Sequence, residues 1–241
     1  MRALITRPRE DSETLAAALA LRRVEAIIEP LIEVHYRQAT IPLAGVQAIM
    51  CTSANGVRAL ARSSDERRLP LFAVGDATAA RARAEGFPAV WSAGGNVADL
   101  VGLAVERLHP QEGRLLHIAG NVVAGDLAGA LSPHGFIVER QVLYEARPAA
   151  ALSPAALLAL RSGAIALALF FSPRTAAIFA RLAQAAGVAE CCGTVTALSI
   201  SRMADAALAG LPWRDRRVAE KPNQPALLDA LDRLVGAWPR D

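Results

Sequence analysis

The sequence predicts an α/β protein with two doubly wound, parallel-sheet domains of the flavodoxin or Rossmann kind. Short apolar strand patterns alternate with helical patterns of roughly 10–15 residues, which is typical of parallel sheets covered on both faces. Three strand–turn–helix segments occur twice along the chain of 241 residues. That length allows two domains, and an apolar share of 53% is sufficient for their cores.

The first repeated pair is CTSANGVRAL and FFSPRTAAIF, and each begins as an apolar strand that is followed by Ser and a helical pattern. Ser53 corresponds to Ser172, and Leu60 corresponds to Phe179, both at a separation of 119 positions. Self-similarity at a constant separation indicates two copies of one supersecondary unit.

Two further pairs extend the repeat. LFAVGDATAARARAEGF resembles VTALSISRMADAALAGL and places Gly75 at Ser199, and both helical patterns end at Gly, a common helix stop. Arg2–Pro8 (RALITRP) resembles Arg114–Gly120 (RLLHIAG). The simplest interpretation is two tandem domains that divide near Pro110.

The connector-like segments favour a different division. HYRQATIPLAG is polar and contains Pro, and EARPAAALSP has two Pro and little periodicity. We therefore predict linkers at residues 35–39 and 144–149 and an inserted domain at 40–143. The other domain is split, with residues 1–34 joined to 150–241, and two linker crossings leave a cleft between the domains.

Each predicted domain holds five strands. Those of the split domain are predicted at Ala3–Ile5, Glu25–Glu29, Ala166–Phe171, Val195–Ile200 and Arg217–Ala219. Those of the inserted domain are predicted at Gln47–Cys51, Leu71–Val74, Ala89–Trp91, Arg114–Ile118 and Ile137–Gln141.

The turns that follow these strands are the candidate binding site, because ligands of open α/β sheets bind at the carboxyl ends of the strands. Each turn precedes a helix, and a helix N-terminus offers free N–H groups and partial positive charge to anions. Taken singly, a Ser or Thr at a helix start usually only caps the helix. Together the turns predict a ligand with many carboxylates or phosphates. The candidate residues are Thr6, Arg7, Ser53, Ala54, Asn55, Gly75, Thr78, Gly120, Ser172, Pro173, Ser199 and Ser201.

Composition excludes several other classes of protein. The net charge is only +3, which gives no bulk field for nucleic acid. The three Cys have neither zinc nor redox spacing, the His are scattered, and we expect no metal and a reducing, cytoplasmic location. The longest apolar run is too short to span a bilayer, and no phosphate loop or nucleophile elbow occurs. His117 is predicted to be a core residue, and the charge run Asp65–Arg68 a solvated helix end.

The two tyrosines, Tyr36 and Tyr144, both fall at the predicted domain junctions. A phenol at a cleft can donate a proton to a leaving group. The alternative for Tyr144 is an interface residue with a satisfied hydroxyl, and Tyr36 is predicted to be a surface linker residue.

Seven segments, taken in order, resemble the uroporphyrinogen-III synthase family: LITRP, PLIEV, TSANGVRAL, AVGDATA, VLYEARP, FFSPRTAAIF and VAEKPNQPALLDAL. The resemblance covers nearly the whole chain. It implies two α/β domains on a two-stranded linker, with a discontinuous first domain. It also implies that hydroxymethylbilane, a linear tetrapyrrole, loses water and closes to a ring with its last pyrrole inverted, without a metal or organic cofactor.

The resemblance implies roles for particular residues. Tyr144 takes the place of the family's tyrosine that assists departure of the hydroxyl, and Thr78 that of a turn threonine. Ser53 and Ser172 match the family's strand-end serines. The protein would act as a monomer on a tetrapyrrole polycarboxylate, with transient contact to hydroxymethylbilane synthase, and without nucleic acid or membrane.

Three places depart from the family pattern. Ala119-Gly120 stands where the family often has Arg-Gly, and Ala124-Gly125 where it has another Arg. Ser199-Ile200-Ser201-Arg202 stands where the family has Gly-Pro-Thr-Thr, so either Ser201 replaces a hydroxyl or Arg202 supplies a charge. The alternative function is a non-catalytic binder or sensor of an anionic small molecule, which the missing Arg residues favour and Tyr144 and Thr78 oppose.

Overall fold

A computed structural model describes residues 1–123 and 125–236, which form eleven strands and nine α-helices. The strands are β1 (Arg2–Ile5), β2 (Glu25–Ile28), β3 (Ile32–Tyr36), β4 (Val46–Cys51), β5 (Leu71–Ala73), β6 (Val90–Ser92), β7 (Arg114–Gly120), β8 (Val138–Pro148), β9 (Leu167–Phe170), β10 (Thr196–Ser199) and β11 (Asp215–Val218). The helices are α1 (Arg9–Ala20), α2 (Ala54–Ser63), α3 (Asp76–Ala84), α4 (Val97–Arg107), α5 (Leu127–Leu131), α6 (Pro154–Arg161), α7 (Pro173–Ala185), α8 (Arg202–Ala206) and α9 (Gln224–Gly236).

The chain divides into two compact units. The first unit holds Met1–Glu33 and the chain from Arg147 onward, and the second unit holds Val34–Ala146. The first unit is thus discontinuous in sequence. Within the described ranges, no helix is long and apolar enough to cross a membrane.

The first unit contains one five-stranded sheet in the order β11-β10-β9-β1-β2, and all of its strand pairs are parallel. Numbered within the unit, this is the flavodoxin-like order 2-1-3-4-5. Alternate side chains of each strand enter different cores. On one face Leu4 packs with α6 and α7, and on the other Ile5 packs with Leu15 of α1 and Leu227 of α9.

The second unit contains a six-stranded sheet in the order β3-β8-β7-β4-β5-β6. The five neighbouring strands β8, β7, β4, β5 and β6 all run parallel to one another. The parallel strands follow the Rossmann-type order 3-2-1-4-5. Ile49 and Cys51 of β4 face α2 and α3, whereas Ala48 and Met50 face α4 and α5. Both sheets are therefore covered on both faces, as the sequence predicts.

The strand orders agree with the permuted repeat. Read from one side, β6-β5-β4-β7-β8 of the second unit matches β11-β10-β9-β1-β2 of the first, position by position. The two strands that precede Ser53 and Ser172 are β4 and β9, and each is the middle strand of its parallel set. The repeated segments are thus equivalent in structure.

The predicted linkers at residues 35–39 and 144–149 contain regular strands, since β3 includes residues 35–36 and β8 includes residues 144–148. The boundaries between the two units lie after Glu33 and after Ala146, beside the first predicted linker and within the second. The two strands pair: Arg37 N donates to the Leu143 carbonyl at 2.7 Å, and Ala149 N donates to the Leu31 carbonyl at 3.0 Å. Residue numbers rise along one strand as they fall along the other, which is an antiparallel pattern.

The sequence did not predict β3 as a strand because β3 lies at the edge of its sheet. An edge strand alternates apolar and polar residues, and the IEVHY sequence of β3 has a half-exposed burial pattern. Pro148 ends β8, where a missing N–H costs no ladder bond. Both segments therefore resemble loops in composition, and the second sheet has six strands rather than five.

Candidate functional site

The carboxyl edge of the first sheet carries three neighbouring turns, which follow β1, β9 and β10. Ser172 begins α7, and its Oγ accepts a hydrogen bond from Thr175 N at 3.1 Å. Pro173 follows at the first helical position. Ser201 begins α8 in the same way, since its Oγ accepts from Ala204 N at 3.3 Å. These two serines are helix caps, and the strand order of this sheet reverses next to Ser172, between β1 and β9.

Two candidates at this edge have inaccessible side chains. Thr6 is 0% exposed, and its hydroxyl donates to the Leu169 carbonyl at 2.8 Å, which ties the end of β1 to β9. Ser199 is also 0% exposed, and its Oγ has no hydrogen-bond partner among the residues that the structure describes. Thr6 and Ser199 are thus buried as whole residues beneath the turns that they were predicted to form.

The Arg7 guanidinium is bound by side chains of the first unit. Its Nη1 donates to Gln224 Oε1 at 2.7 Å, and its Nη2 lies 3.3 Å from Asp11 Oδ2. The guanidinium carbon also lies 4.4 Å from the centre of the Phe171 ring, a cation–π geometry. Arg7 thus joins α1 and α9 at the carboxyl edge.

The carboxyl edge of the second sheet carries the turns after β4 and β5. Ser53 begins α2 and accepts from Asn55 N at 3.2 Å, and Ala54 is the first residue of the helix. Asn55 Oδ1 in turn accepts from Arg58 Nη1 at 2.7 Å. Ser53 also borders the place where the strand order reverses, between β4 and β7.

The turn after β5 differs because its cap has no side chain. Gly75 precedes α3, and within the described part of the chain no side-chain cap bond satisfies the first N–H groups of that helix. Thr78 lies in the first turn of α3 and is only 5% exposed. The backbone donors at this helix start are therefore those that an anion would most readily satisfy.

Tyr144 lies in β8, and it is 6% exposed. Its ring packs against the backbone of Gly120, the last residue of β7. A Cβ placed on Gly120 would stand 2.7 Å from Tyr144 Cε2 and 3.1 Å from its hydroxyl oxygen. Gly120 thus makes room for the phenol at the carboxyl edge of the sheet. The other tyrosine, Tyr36, lies in β3 beneath the Arg62 guanidinium, whose central carbon is 4.2 Å from the ring centre.

His117 is a buried residue of β7, as predicted. Its Nε2 lies 3.3 Å from Thr52 Oγ1. Burial, and to a smaller extent the positive charge of Arg140, lowers the pKa of His117 from 6.5 to about 4. The imidazole is therefore neutral near pH 7. Arg140 and Asn121 surround the end of β7, and neither was among the predicted site residues.

The places that depart from the family pattern have different environments. Ala119 is buried in β7, and Ala124 lies outside the described residues. Arg202 lines a cavity of about 350 Å³ together with Ser201 and Glu220. Among the residues described here, no group of three or more His, Cys, Asp or Glu side chains has the geometry of a metal site.

Comparison with known proteins gives a family match over most of the chain. A family model described as uroporphyrinogen-III synthase HemD matches residues 13–229. No curated protein matches the sequence.

Two solved structures are similar over nearly their whole lengths. A uroporphyrinogen-III synthetase from Helicobacter pylori is 18% identical, with a TM-score of 0.64, and the match covers 97% of this chain and 100% of that one. A mutant uroporphyrinogen III synthase from Thermus thermophilus is also 18% identical, with a TM-score of 0.56 and coverage of 99% and 100%. At this identity the two structures support the fold.

Proposed function

This chain belongs to the uroporphyrinogen-III synthase family, and from that membership we propose that it closes hydroxymethylbilane to a macrocycle with loss of water and inversion of the last pyrrole ring. The observation that supports this most directly is the phenol of Tyr144, which is packed on Gly120 at the carboxyl edge of the second sheet. The same edge holds the starts of α2 and α3. A proton donor and two anion-receiving helix ends thus belong to one edge.

Substrate binding in this proposal depends mainly on the backbone. A tetrapyrrole bears many carboxylates, and each helix start offers N–H groups that carry partial positive charge. Ser53 and Gly75 begin such helices in the second unit, and Ser172 and Ser201 do so in the first. Arg202, beside its cavity, supplies a cation near Ser201.

The chemistry requires little acid–base power. The electron pair of the pyrrole nitrogen breaks the C–O bond and leaves a reactive azafulvenium cation. A proton from the Tyr144 phenol turns the departing oxygen into water, and the N–H proton of the cation returns to the phenolate, which leaves the neutral azafulvene. The protein must then hold the chain folded and keep water from the azafulvene until the ring closes. We therefore assign the reaction to the cofactor-independent hydro-lyases.

The supply of substrate suggests the setting of the reaction. Hydroxymethylbilane is unstable, so contact between the enzyme that consumes it and the synthase that makes it would shorten the time for which it is free in solution. We place the protein in the cytoplasm as a monomer, in transient contact with that synthase.

A coupled assay tests the proposal. Porphobilinogen and hydroxymethylbilane synthase supply the substrate, and oxidised products are separated into type I and type III isomers. We expect added protein to shift the product from type I to type III. Heat-denatured protein is the negative control. Type I product alone, at a protein concentration equal to that of the supplying enzyme, would contradict the proposal.

The second candidate function is a binder or sensor of an anionic tetrapyrrole. The observation in its favour is Ala119, a buried alanine where the family often has arginine. Such a protein would bind uroporphyrinogen or its oxidised form and yet leave only type I product in the coupled assay. Titration of intrinsic tryptophan fluorescence with uroporphyrin III, run beside the assay, separates the two functions.

A further inference from the structure

The strand that carries Tyr144 contains an irregularity directly before it. In the pairing of β7 with β8, Ala119 lies opposite Val142, but Gly120 lies opposite Tyr144, so that Leu143 is one extra residue in β8. Consecutive residues of a regular strand point to opposite faces. Leu143 and Tyr144 nevertheless pack into the same apolar cluster, beside α2. A bulge of this kind changes the direction of a side chain, and here it changes the direction of Tyr144.

Asn121 holds this bulge from the C-terminal end of β7. Its backbone N–H donates to the Tyr144 carbonyl at 3.0 Å. Its side-chain Oδ1 accepts a hydrogen bond from Ala146 N at 3.0 Å. One residue therefore fixes the backbone at Tyr144 and again two residues later, which leaves the Cα–Cβ bond of Tyr144 little freedom to turn.

The Arg140 side chain also connects β8 to the end of β7, from a position in β8 that precedes the bulge. It lies in β8, four residues before Tyr144. Its Nη2 donates to the Gly120 carbonyl at 2.6 Å and to the Asn121 carbonyl at 3.2 Å. The end of β7 is thus tied to β8 both before and after the extra residue.

We propose that Asn121 is a positioning residue for the phenol of Tyr144: its side-chain amide fixes the bulge that aims the hydroxyl at the leaving group. The inference rests on the proposed function, since it needs Tyr144 to act on the substrate. Asn121 itself uses its amide oxygen on Ala146 N and acts through Tyr144. A displacement of the catalytic phenol by about 1 Å can lower the rate on the order of 100-fold. Loss of the hydrogen bond between Asn121 and Ala146 N should therefore lower mainly kcat.

Two substitutions at position 121 separate positioning from simple folding. Asn121→Asp keeps an oxygen that can accept from Ala146 N, whereas Asn121→Leu has a similar size and no acceptor. We expect Asn121→Leu to lower kcat at least about tenfold with KM changed much less, and Asn121→Asp to keep kcat within about twofold of wild type. Equal loss of kcat in both variants would overturn the inference.

A double-mutant cycle with Tyr144→Phe shows whether Asn121 acts through the hydroxyl. In the Tyr144→Phe background, Asn121→Leu should lower kcat no further. The same fold-decrease in both backgrounds would overturn the inference. Far-ultraviolet circular dichroism and thermal unfolding establish which variants are folded. If Asn121→Leu is unfolded, Arg140→Met replaces it in the cycle, because it removes the second hold on the bulge and keeps an apolar stem.

Failure of this inference differs from failure of the proposed function. A wild-type protein that forms no type III isomer contradicts the proposed function before any variant is compared. An active wild type, a slow Tyr144→Phe and a normal Asn121→Leu contradict the positioning role alone.

Discussion

The Tyr144 ring lies so close to the Cα of Gly120 that no side chain fits between them. Because a Cβ at position 120 would stand 2.7 Å from Tyr144 Cε2 and 2.8 Å from Cζ, one of the two residues would have to move. The two residues come from neighbouring strands and are opposite each other in register. The conformation of the proposed proton donor therefore depends on a glycine in another strand.

Gly120→Ala should destabilise the protein and slow the reaction together. Overpacking of this kind costs about 1–3 kcal/mol of unfolding free energy, and the displaced phenol should lose turnover. Urea unfolding and the coupled assay measure both. Gly102→Ala in α4 is the matched control, since its Cβ would meet no atom of the described residues within 4 Å and helical Ala is favoured over Gly. Wild-type stability and turnover in Gly120→Ala would contradict the close packing.

Tyr144→Phe should lower kcat and leave product affinity and folding nearly unchanged. General acid assistance supplies about 10²–10⁴-fold, and we expect the low end or less because the pyrrole drives the departure itself. The remaining product should be mainly type III. Tyr36→Phe, the other tyrosine of the chain, is the control and should react at the wild-type rate. A slow Tyr144→Phe that also loses type III selectivity would mean that the phenol positions the terminal ring.

Thr78→Val should weaken product binding more than folding. The substitution nearly preserves shape and removes the hydroxyl from the first turn of α3, where an exposed anion contact is worth about 0.3–1 kcal/mol and a partly buried one more. Fluorescence titration with uroporphyrin III and thermal unfolding give the two quantities. Thr196→Val is the control, because Thr196 is equally buried but begins β10, at the opposite edge of its sheet. Equal affinity of Thr78→Val and wild type for uroporphyrin III would show that this turn does not bind the ligand.

The neutral imidazole of His117 should make stability depend on pH between about 6.5 and 4. Its pKa is about 4 in the folded protein and near 6.5 in the unfolded chain, so the unfolded chain binds more protons within that window. Stability should therefore fall as the pH falls, by a total on the order of 3 kcal/mol.

His117→Gln should remove most of that dependence. Urea unfolding at pH 7 and at pH 4.5 measures the difference in each protein. His134→Gln, at an exposed residue, is the control and should retain the wild-type dependence. The same loss of stability in His117→Gln as in wild type would show that other groups cause it.

Alkylation of the folded protein should modify only Cys191 among the three cysteines. Burial raises the pKa of Cys51 to about 12, and that of Cys192 also to about 12, whereas Cys191 is partly exposed. Because the thiolate is the nucleophile, iodoacetamide should modify Cys191 alone in native buffer. Peptide mass spectrometry identifies the sites, and protein in guanidinium chloride should be modified at all three. Native modification of Cys51 would contradict its burial.

Much of the fold could be predicted because similar strand–turn–helix segments occur twice in the sequence. The strands that lead to Ser53 and Ser172 occupy equivalent places in two sheets, and a constant sequence separation reveals that equivalence without coordinates. β3 escaped prediction because an edge strand is half polar. The bulge at Leu143 has no sequence signal, since it exists only in the pairing of two strands.

The individual site residues were harder to predict than the edge on which they lie. Thr6 and Ser199 are buried although they were predicted to belong to the turns, because burial at a strand end depends on what packs above it. Arg67 belongs to a charge run that was expected to be solvated. It instead donates to the carbonyls of Ser64 and Glu66, and across to Glu85 at 2.8 Å, which joins the ends of α2 and α3. Such long-range pairings follow from the tertiary structure.

The discontinuous first unit imposes an order of events on protein synthesis. Ala3 pairs with Leu167, so β1, which pairs with β2 on one side, lacks its other partner strand β9 until more than 160 further residues have been made. At about 5–20 residues per second, that delay is roughly 10–30 s on the ribosome. The second unit is continuous and has its own cores, and it emerges complete during this interval. Nascent chains that stop before Leu167 would therefore contain one domain able to fold and two N-terminal strands, β1 and β2, without β9 to complete their sheet.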